Sequence, residues 1–245
     1  MRVFPAAARL RRVRAPEICE DASVTNPTKL ILFVALLLGT TLLAQGRHPV
    51  TDRAIAPVMS VSGHQWLDRP EREREESTER ALELLQLRPG MVVADIGAGS
   101  GYYTMRLARI VGGSGRVYAT DVQRGMLDLI DRRIKEERLA NVTTVLGTDT
   151  NPGLPAQALD LALMVDVYHE LQSPQTFMRR LRDSLKPDGR LVLLEFRQED
   201  PRVPIREEHK MSVSGARREL AADGYRFRES IEGLPWQHLL VFSPR

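Results

Sequence analysis

The chain has 245 residues, 42% of them hydrophobic, and a formal net charge of +3. That is enough for one α/β domain with a core of its own, plus extensions. Its single cysteine, Cys19, excludes an intrachain disulfide and a cysteine-based zinc site. The charge is unevenly spread. The first 44 residues hold six of the 35 basic and three of the 32 acidic residues, which leaves 29 of each sign beyond them. A neutral remainder lacks the electrostatic footprint of nucleic-acid binding, so no nucleic-acid partner is expected.

Residues 1–46 read as a leader. Segment 30–44 is fifteen residues without a charge. A bilayer-spanning helix wants about 20, so the run suits the apolar core of a secretory signal peptide, with Lys29 ahead of it and cleavage after Ala44. A short membrane anchor and a buried core helix are the alternatives. The stretch before Lys29 is long for a signal peptide, which is explained if translation begins at Val24 rather than Met1. Basic residues ahead of the run favour a cytoplasmic N-terminus. The expected location is therefore export or anchoring at the cell envelope, with membrane association through residues 30–44 and a cytoplasmic protein as the alternative.

Residues 47–70 read as a linker, with Pro, Gly and Ser scattered over 47–62, and the folded domain is expected over 71–245. Pro70 suits the first position of a helix. The charged run from Glu71 to Glu76 passes into Ala81, Leu82, Leu84, Leu85 and Leu87. This predicts one helix, solvated in its first half and packed in its second, with its early acids opposing the macrodipole favourably. In the other reading the region is a lid, with Trp66 or an arginine over a cleft.

The stretch 92–111 is the most informative. An apolar run interrupted by Asp95 ends at Ile96, Gly97, Gly99 and Gly101 follow at alternate positions, and an amphipathic segment covers 103–111. That pattern predicts a buried strand, a tight turn and a helix start. Glycines there let the backbone approach a ligand, and the helix start offers free N–H groups to polar or anionic atoms. The dinucleotide fingerprint wants glycine or alanine where Tyr102 stands, and no Gly-Lys-Ser/Thr follows for a P-loop.

A second strand at 116–121 ends in Asp121, a carboxylate suited to the two hydroxyls of a ribose. An amphipathic helix spans 124–139, with Met126, Leu127, Leu129, Ile130 and Ile134 inward. Strands follow at 141–149 and 159–166. Then come a helix at 176–185, a Pro187-Asp188-Gly189 turn, a strand at 190–196, a helix at 213–222, and strands at 225–231 and 238–242. The alternation predicts an α/β fold with a doubly wound, mostly parallel seven-stranded sheet and helices on both faces.

Pro89-Gly90 and the pattern Asp95-x-Gly97-x-Gly99-x-Gly101 resemble the first signature of the class I S-adenosylmethionine-dependent methyltransferases. Acids at later strand ends, Asp121, Asp149 and Asp166, recur in that family's order. The resemblance covers about residues 84–243 and is strongest to small single-domain members related to quinone-type and other small-molecule methyltransferases. It implies a Rossmann-like methyltransferase fold with the last strand antiparallel, S-adenosyl-L-methionine as cofactor, and a small-molecule methyl acceptor, with a lipophilic one among the candidates. The cofactor-binding residues it implies are Asp95, Gly97, Gly99, Gly101, Asp121, Asp149 near the adenine amino group, and Asp166. Asp166 binds the donor's methionine part or orients His169.

Chemistry is expected in the loop 166–170. His169 is the one residue there whose ordinary pKa, about 6.5, suits a general base; a helix cap or a backbone hydrogen bond is its plainer role. Tyr168 is read as a wall of the methyl channel and Glu170 as a surface or structural acid. The polar loop 195–211 contains Pro201 and Pro204 and is expected to be a connection rather than a helix. His209 and Lys210 in it are either exposed or substrate-facing. No metal ligand is assigned. The Asn/Asp-Pro-Pro-Tyr/Phe motif of amino-methylating relatives is replaced by Asp166-Val167-Tyr168-His169, which lowers adenine or glutamine methylation as a reading. Two competing readings are a non-catalytic envelope-associated binding module of the same fold and an NAD(P)-dependent oxidoreductase. Export also pulls against a donor that is made inside cells. The oligomeric state is left open.

Overall fold

Strands buried on both faces read as near-continuous apolar runs, and such runs build the centre of the sheet in the computed structural model, which describes residues 46–245. The apolar run 30–44, and with it the signal-peptide, anchor and start-site readings, lies outside the described residues. Among the described residues no helix is long and apolar enough to cross a membrane.

Eight strands form one open sheet: β1 Val92–Ile96, β2 Arg116–Asp121, β3 Val142–Leu146, β4 Leu159–Val165, β5 Leu185–Arg197, β6 Lys210–Met211, β7 Tyr225–Ile231 and β8 Gln237–Pro244. The main path runs β3-β2-β1-β4-β5-β8-β7, with β6 attached to β5. Strands β1 to β5 pair in parallel. The last strand, β8, inserts antiparallel between β5 and β7. The order reverses direction at β1 and β4, and the crevice beyond the carboxyl ends of those strands is where open α/β sheets bind ligands.

Among the described residues seven α-helices accompany the sheet: α1 His64–Leu67, α2 Arg72–Glu76, α3 Thr78–Leu84, α4 Tyr102–Val111, α5 Arg124–Glu137, α6 Pro174–Ser184 and α7 Val213–Ala222. Side chains alternate across the sheet. Leu161, Leu163, Val192 and Leu194 pack with Leu107 of α4 and Ala81 and Leu82 of α3. Their neighbours Ala162, Met164, Leu191 and Leu193 pack with Phe177, Met178 and Leu181 of α6 and Ala216 and Leu220 of α7. Under α5, Leu127 and Ile130 meet Ala98, Met105 and Ala119. Helices therefore cover both faces.

Several elements differ from their expected form. The single helix expected after Pro70 is two, broken at Ser77, which takes a left-handed φ of 52°. Helix α6 starts at Pro174, where a missing N–H costs nothing. Strand β3 ends at Leu146, and the chain then turns through a Thr148–Asn151 bridge, so Asp149 lies on a loop. The eighth strand, β6, is only two residues long and joins the expected seven by pairing with Phe196 and Arg197. The stretch 47–62, expected to be a linker, is partly packed onto the domain. Ile55 and Ala56 are buried, and buried His48 lies against Glu219 of α7 and Tyr168.

Candidate functional site

At the end of β1 the chain turns through the three glycines into α4. Gly97 and Ala98 donate their N–H groups to the Thr120 carbonyl at 2.8 and 3.0 Å, which ties the turn to β2. Gly99 N–H donates to Asp121 Oδ2 at 3.0 Å, and Gln123 N–H donates to Oδ1 at 2.8 Å. Each Asp121 oxygen keeps a further lone pair for a ligand. Gly97 and Gly99 have φ of 65° and 56°. A Cβ on them would meet Val167 at 2.6 Å and Leu67 at 2.7 Å, so no other residue fits without displacement.

A cavity of about 620 Å³ opens over this turn. Gly97, Gly99, Asp121, Asp149, Asp166 and His169 all line it. Val122 and Met126 supply an apolar wall beside Asp121, and Asp149 sits exposed on the rim. Trp66, Leu67 and Arg72 from the helices ahead of the domain line it as well. Asp68 holds them there: it accepts from Ser100 Oγ at 3.0 Å and pairs with Arg133 at 2.7 Å. The lid-like position considered for Trp66 and an arginine is thus occupied. Arg72, however, is buried and spent on Glu76 and the Leu67 carbonyl.

Three expected site residues stand apart from the cavity. Asp95 is buried and accepts from Thr104 Oγ1 of α4 at 2.6 Å, and burial raises its pKa to about 6. Gly101 caps α4 and packs toward Ile130. Tyr168 does not wall a channel. Its hydroxyl points beneath the sheet's end to His48 Nε2, 3.3 Å away, because the 3-10 turn Tyr168–Glu170 sends consecutive side chains in different directions.

Asp166 closes β4 with a left-handed φ of 54°. Its Oδ2 accepts from Gln237 Nε2 at 2.7 Å, while buried Oδ1 has no protein partner. Burial, then the nearby Glu76 and Glu195 carboxylates, push its carboxyl well above the usual range. A cationic or donating ligand group at Oδ1 would satisfy both features. Asp121 is raised by burial too, against the pull of its backbone donors.

His169 and His209, also in the cavity lining, belong to a chain of polar contacts. His169 Nδ1 meets Glu195 Oε2 at 2.6 Å, and Glu195 Oε1 accepts the Tyr168 N–H at 2.8 Å. His169 Nε2 meets His209 Nδ1 at 3.1 Å, and His209 Nε2 meets Arg206 Nη2 at 2.9 Å. A guanidinium only donates. His209 Nε2 is then the acceptor, its Nδ1–H donates to His169 Nε2, and His169 Nδ1–H donates to Glu195. Burial lowers the His209 pKa, with the His169 and Arg206 charges adding to it. Glu170, expected to be a surface or structural acid, lines the cavity, and burial raises its pKa to about 7.

Sequence reasoning missed Glu195 as the partner of His169. The cue was an acid inside an apolar strand, which is costly unless paired. It also missed the anchor beneath the turn. The His169 carbonyl accepts from Ala56 N–H at 3.0 Å and Arg53 Nη1 at 3.3 Å. Arg53 in turn pairs with Glu219 at 3.1 Å.

The comparisons with known proteins agree with this geometry. Residues 93–189 match the family described as a methyltransferase domain. The chain is 28% identical over 120 residues to a demethylmenaquinone methyltransferase of Geobacillus sp. (strain WCH70), covering 49% of this chain and 51% of that protein. It is 29% identical over 160 residues to a ubiquinone/menaquinone biosynthesis C-methyltransferase of Vibrio vulnificus, covering 62% of each. The matches thus span between about half and two thirds of these relatives. Among solved structures, an S-adenosylmethionine-dependent methyltransferase from Aquifex aeolicus superposes with a TM-score of 0.71 at 27% identity, covering 76% of this chain and 98% of that one. With the glycine turn, the strand-end acids and the strand order all in place, residues 93–189 form a methyltransferase domain, and the chain is similar to S-adenosylmethionine-dependent methyltransferases.

Proposed function

We propose that the chain moves a methyl group from S-adenosylmethionine to a small-molecule acceptor. The observation that carries this reading is the shared cavity: its lining joins Gly97 and Gly99 of the glycine turn, Asp121 and Asp166 with His169 and His209, and Glu195 pairs with His169. The donor supplies a methyl group already activated by the sulfonium charge, so the protein's work is to hold and align the partners. Asp121 takes the ribose hydroxyls with the lone pairs its backbone donors leave free. Asp166 Oδ1 takes the cationic end of the donor's methionine part. Val122 and Met126 flank the adenine, and Asp149 on the rim meets its amino group.

The acceptor lies against His169. Its acidic proton goes to His169 Nε2 once His209 turns aside, and Glu195 stabilises the imidazolium through Nδ1. Apolar side chains in the cavity lining, among them Leu171, Phe177, Phe196 and Ile205, support a lipophilic acceptor. The quinone chemistry in the names of the relatives is of this kind. Export or envelope anchoring through residues 30–44 belongs to the same proposal, and N-terminal sequencing of the mature protein tests it. For the activity, the full chain is incubated with methyl-labelled donor and a panel of quinols and hydroxylated aromatics. Label in an acceptor supports the reading, and label in none of them, with the donor bound, contradicts it.

A further inference from the structure

We propose that His169, His209 and Glu170 form a binding site for a divalent transition-metal ion, with its open coordination positions facing the cavity. One ligand atom from each of the three residues falls within a sphere of mutual distances no greater than 4.8 Å. All three line the cavity. Two imidazoles and one carboxylate make a donor set suited to manganese, iron, cobalt or zinc.

The spacing fits. Imidazole nitrogens bind such ions at about 2.0–2.1 Å, which sets two adjacent nitrogens about 3 Å apart. His169 Nε2 and His209 Nδ1 are 3.1 Å apart. The two rings stand nearly at right angles, 81° between planes with centroids 5.1 Å apart, so both nitrogens address one point without stacking. The three ligands come from two anchored turns. His169 and Glu170 sit on the 3-10 turn after β4, and His209 ends the 3-10 turn Glu207–His209, which runs directly into β6 on the sheet.

A second observation points the same way. A metal-binding histidine usually gives its other N–H to a carboxylate, which fixes the tautomer and raises ligand basicity. His169 Nδ1 meets Glu195 Oε2 at 2.6 Å, and Glu195 is wholly buried and itself fixed by the Tyr168 N–H. That arrangement leaves Nε2 as the lone-pair donor toward the cavity. His209 must change tautomer to join it. Its Nε2 then carries the hydrogen and Arg206 moves off, which costs little because that side chain is 70% exposed.

The consequence concerns the acceptor. A cation held here would favour acceptors with two neighbouring oxygens, and it would acidify a bound hydroxyl in place of the imidazole. The inference rests on the reading above only in naming this the acceptor side. Cation binding itself needs no donor.

The test uses the full chain, stripped with a chelator and titrated with cobalt(II) and manganese(II) in the absence of donor. Calorimetry and the visible absorption of cobalt(II) should show one equivalent bound with nitrogen ligation. His209→Asn and Glu170→Gln should each weaken binding at least tenfold, and Glu195→Gln by roughly 10- to 100-fold. His64→Gln, at a histidine outside the cluster, should leave it intact. Circular dichroism and binding of the demethylated donor verify that each variant is folded. No saturable binding at millimolar cation, or binding indifferent to His209→Asn and Glu170→Gln in folded protein, overturns the proposal. Cation binding without donor binding would instead sink the methyl-transfer reading and leave this site standing.

Discussion

Glu195 and His169 are 26 residues apart in sequence and joined by a 2.6 Å contact in a region closed to solvent. Glu195 comes from β5 and His169 from the turn after the adjacent parallel strand β4. The sheet itself therefore sets the orientation of the imidazole, and the ring needs no loop movement to be held with Nε2 turned away from Glu195.

His169→Gln should lower methyl transfer by roughly 10²- to 10⁴-fold if the imidazole is the base. Affinity for the donor should change little, since the proposed donor contacts are made by Asp121 and Asp166 and not by His169. Glu195→Gln should also slow turnover, because an amide does not stabilise the imidazolium. Steady-state turnover together with calorimetric donor affinity separates the two effects. A wild-type rate in His169→Gln would return the residue to a purely structural role.

Asp121→Asn should weaken binding of the demethylated donor by about 1–3 kcal/mol, the range for losing a charge-assisted hydrogen bond and leaving a partner unmet. The amide also sets a donor against the Gly99 or Gln123 N–H, which now reach Asp121 at 3.0 and 2.8 Å. Titration calorimetry reads the loss directly. Unchanged affinity would remove Asp121 from the ribose.

Asp95 gives a pH signature. Burial raises its pKa to about 6 in the folded protein, against an ordinary value of about 4. An acid raised on folding favours the folded state while protonated, and that contribution disappears as pH climbs from about 4 through about 6. Asp95→Asn keeps an acceptor for Thr104 and escapes the titration. The variant should therefore gain on the wild type over that window, by an amount on the order of 3 kcal/mol at neutral pH. Urea melts of both proteins at intervals from pH 4 to 8 check this, and a difference that is flat with pH would contradict it.

Glu219 is the buried foot of the turn that carries His169, with Thr51, Arg53 and His48 gathered on it. Glu219→Ala leaves the Arg53 charge without its partner and should destabilise the protein by about 3–5 kcal/mol. It should also lower turnover by loosening the turn that carries His169, whose carbonyl Arg53 supports. Denaturation and turnover measured on the same sample test both effects.

The strands and helices were largely legible because their signals are local. The apolar run of β1, the three glycines and the inward stripe of α5 each declare themselves within about a dozen residues. That Gly97, Gly99 and Asp121 come together at the cavity was legible for the same reason, since they sit at the ends of strands that the apolar pattern delimits. What stayed hidden depends on contacts distant in sequence. Glu195 was read as the start of the polar loop 195–211, and only the β4–β5 register brings it under His169. Residues 47–62 looked like a linker because of their scattered Pro, Gly and Ser, yet Ile55, Ala56 and His48 are buried. Tyr168 looked like a wall because side-chain direction within a three-residue 3-10 turn cannot be read from spacing. The break at Ser77 carries no glycine or proline to announce it.

The central claim is that the glycine turn and its strand-end acids hold S-adenosylmethionine. Calorimetric titration of the full chain with the donor and with its demethylated product tests it most directly. The account predicts saturable one-to-one binding of both, weakened in Asp121→Asn. No heat from either compound at millimolar concentration, in protein that melts cooperatively, would contradict it.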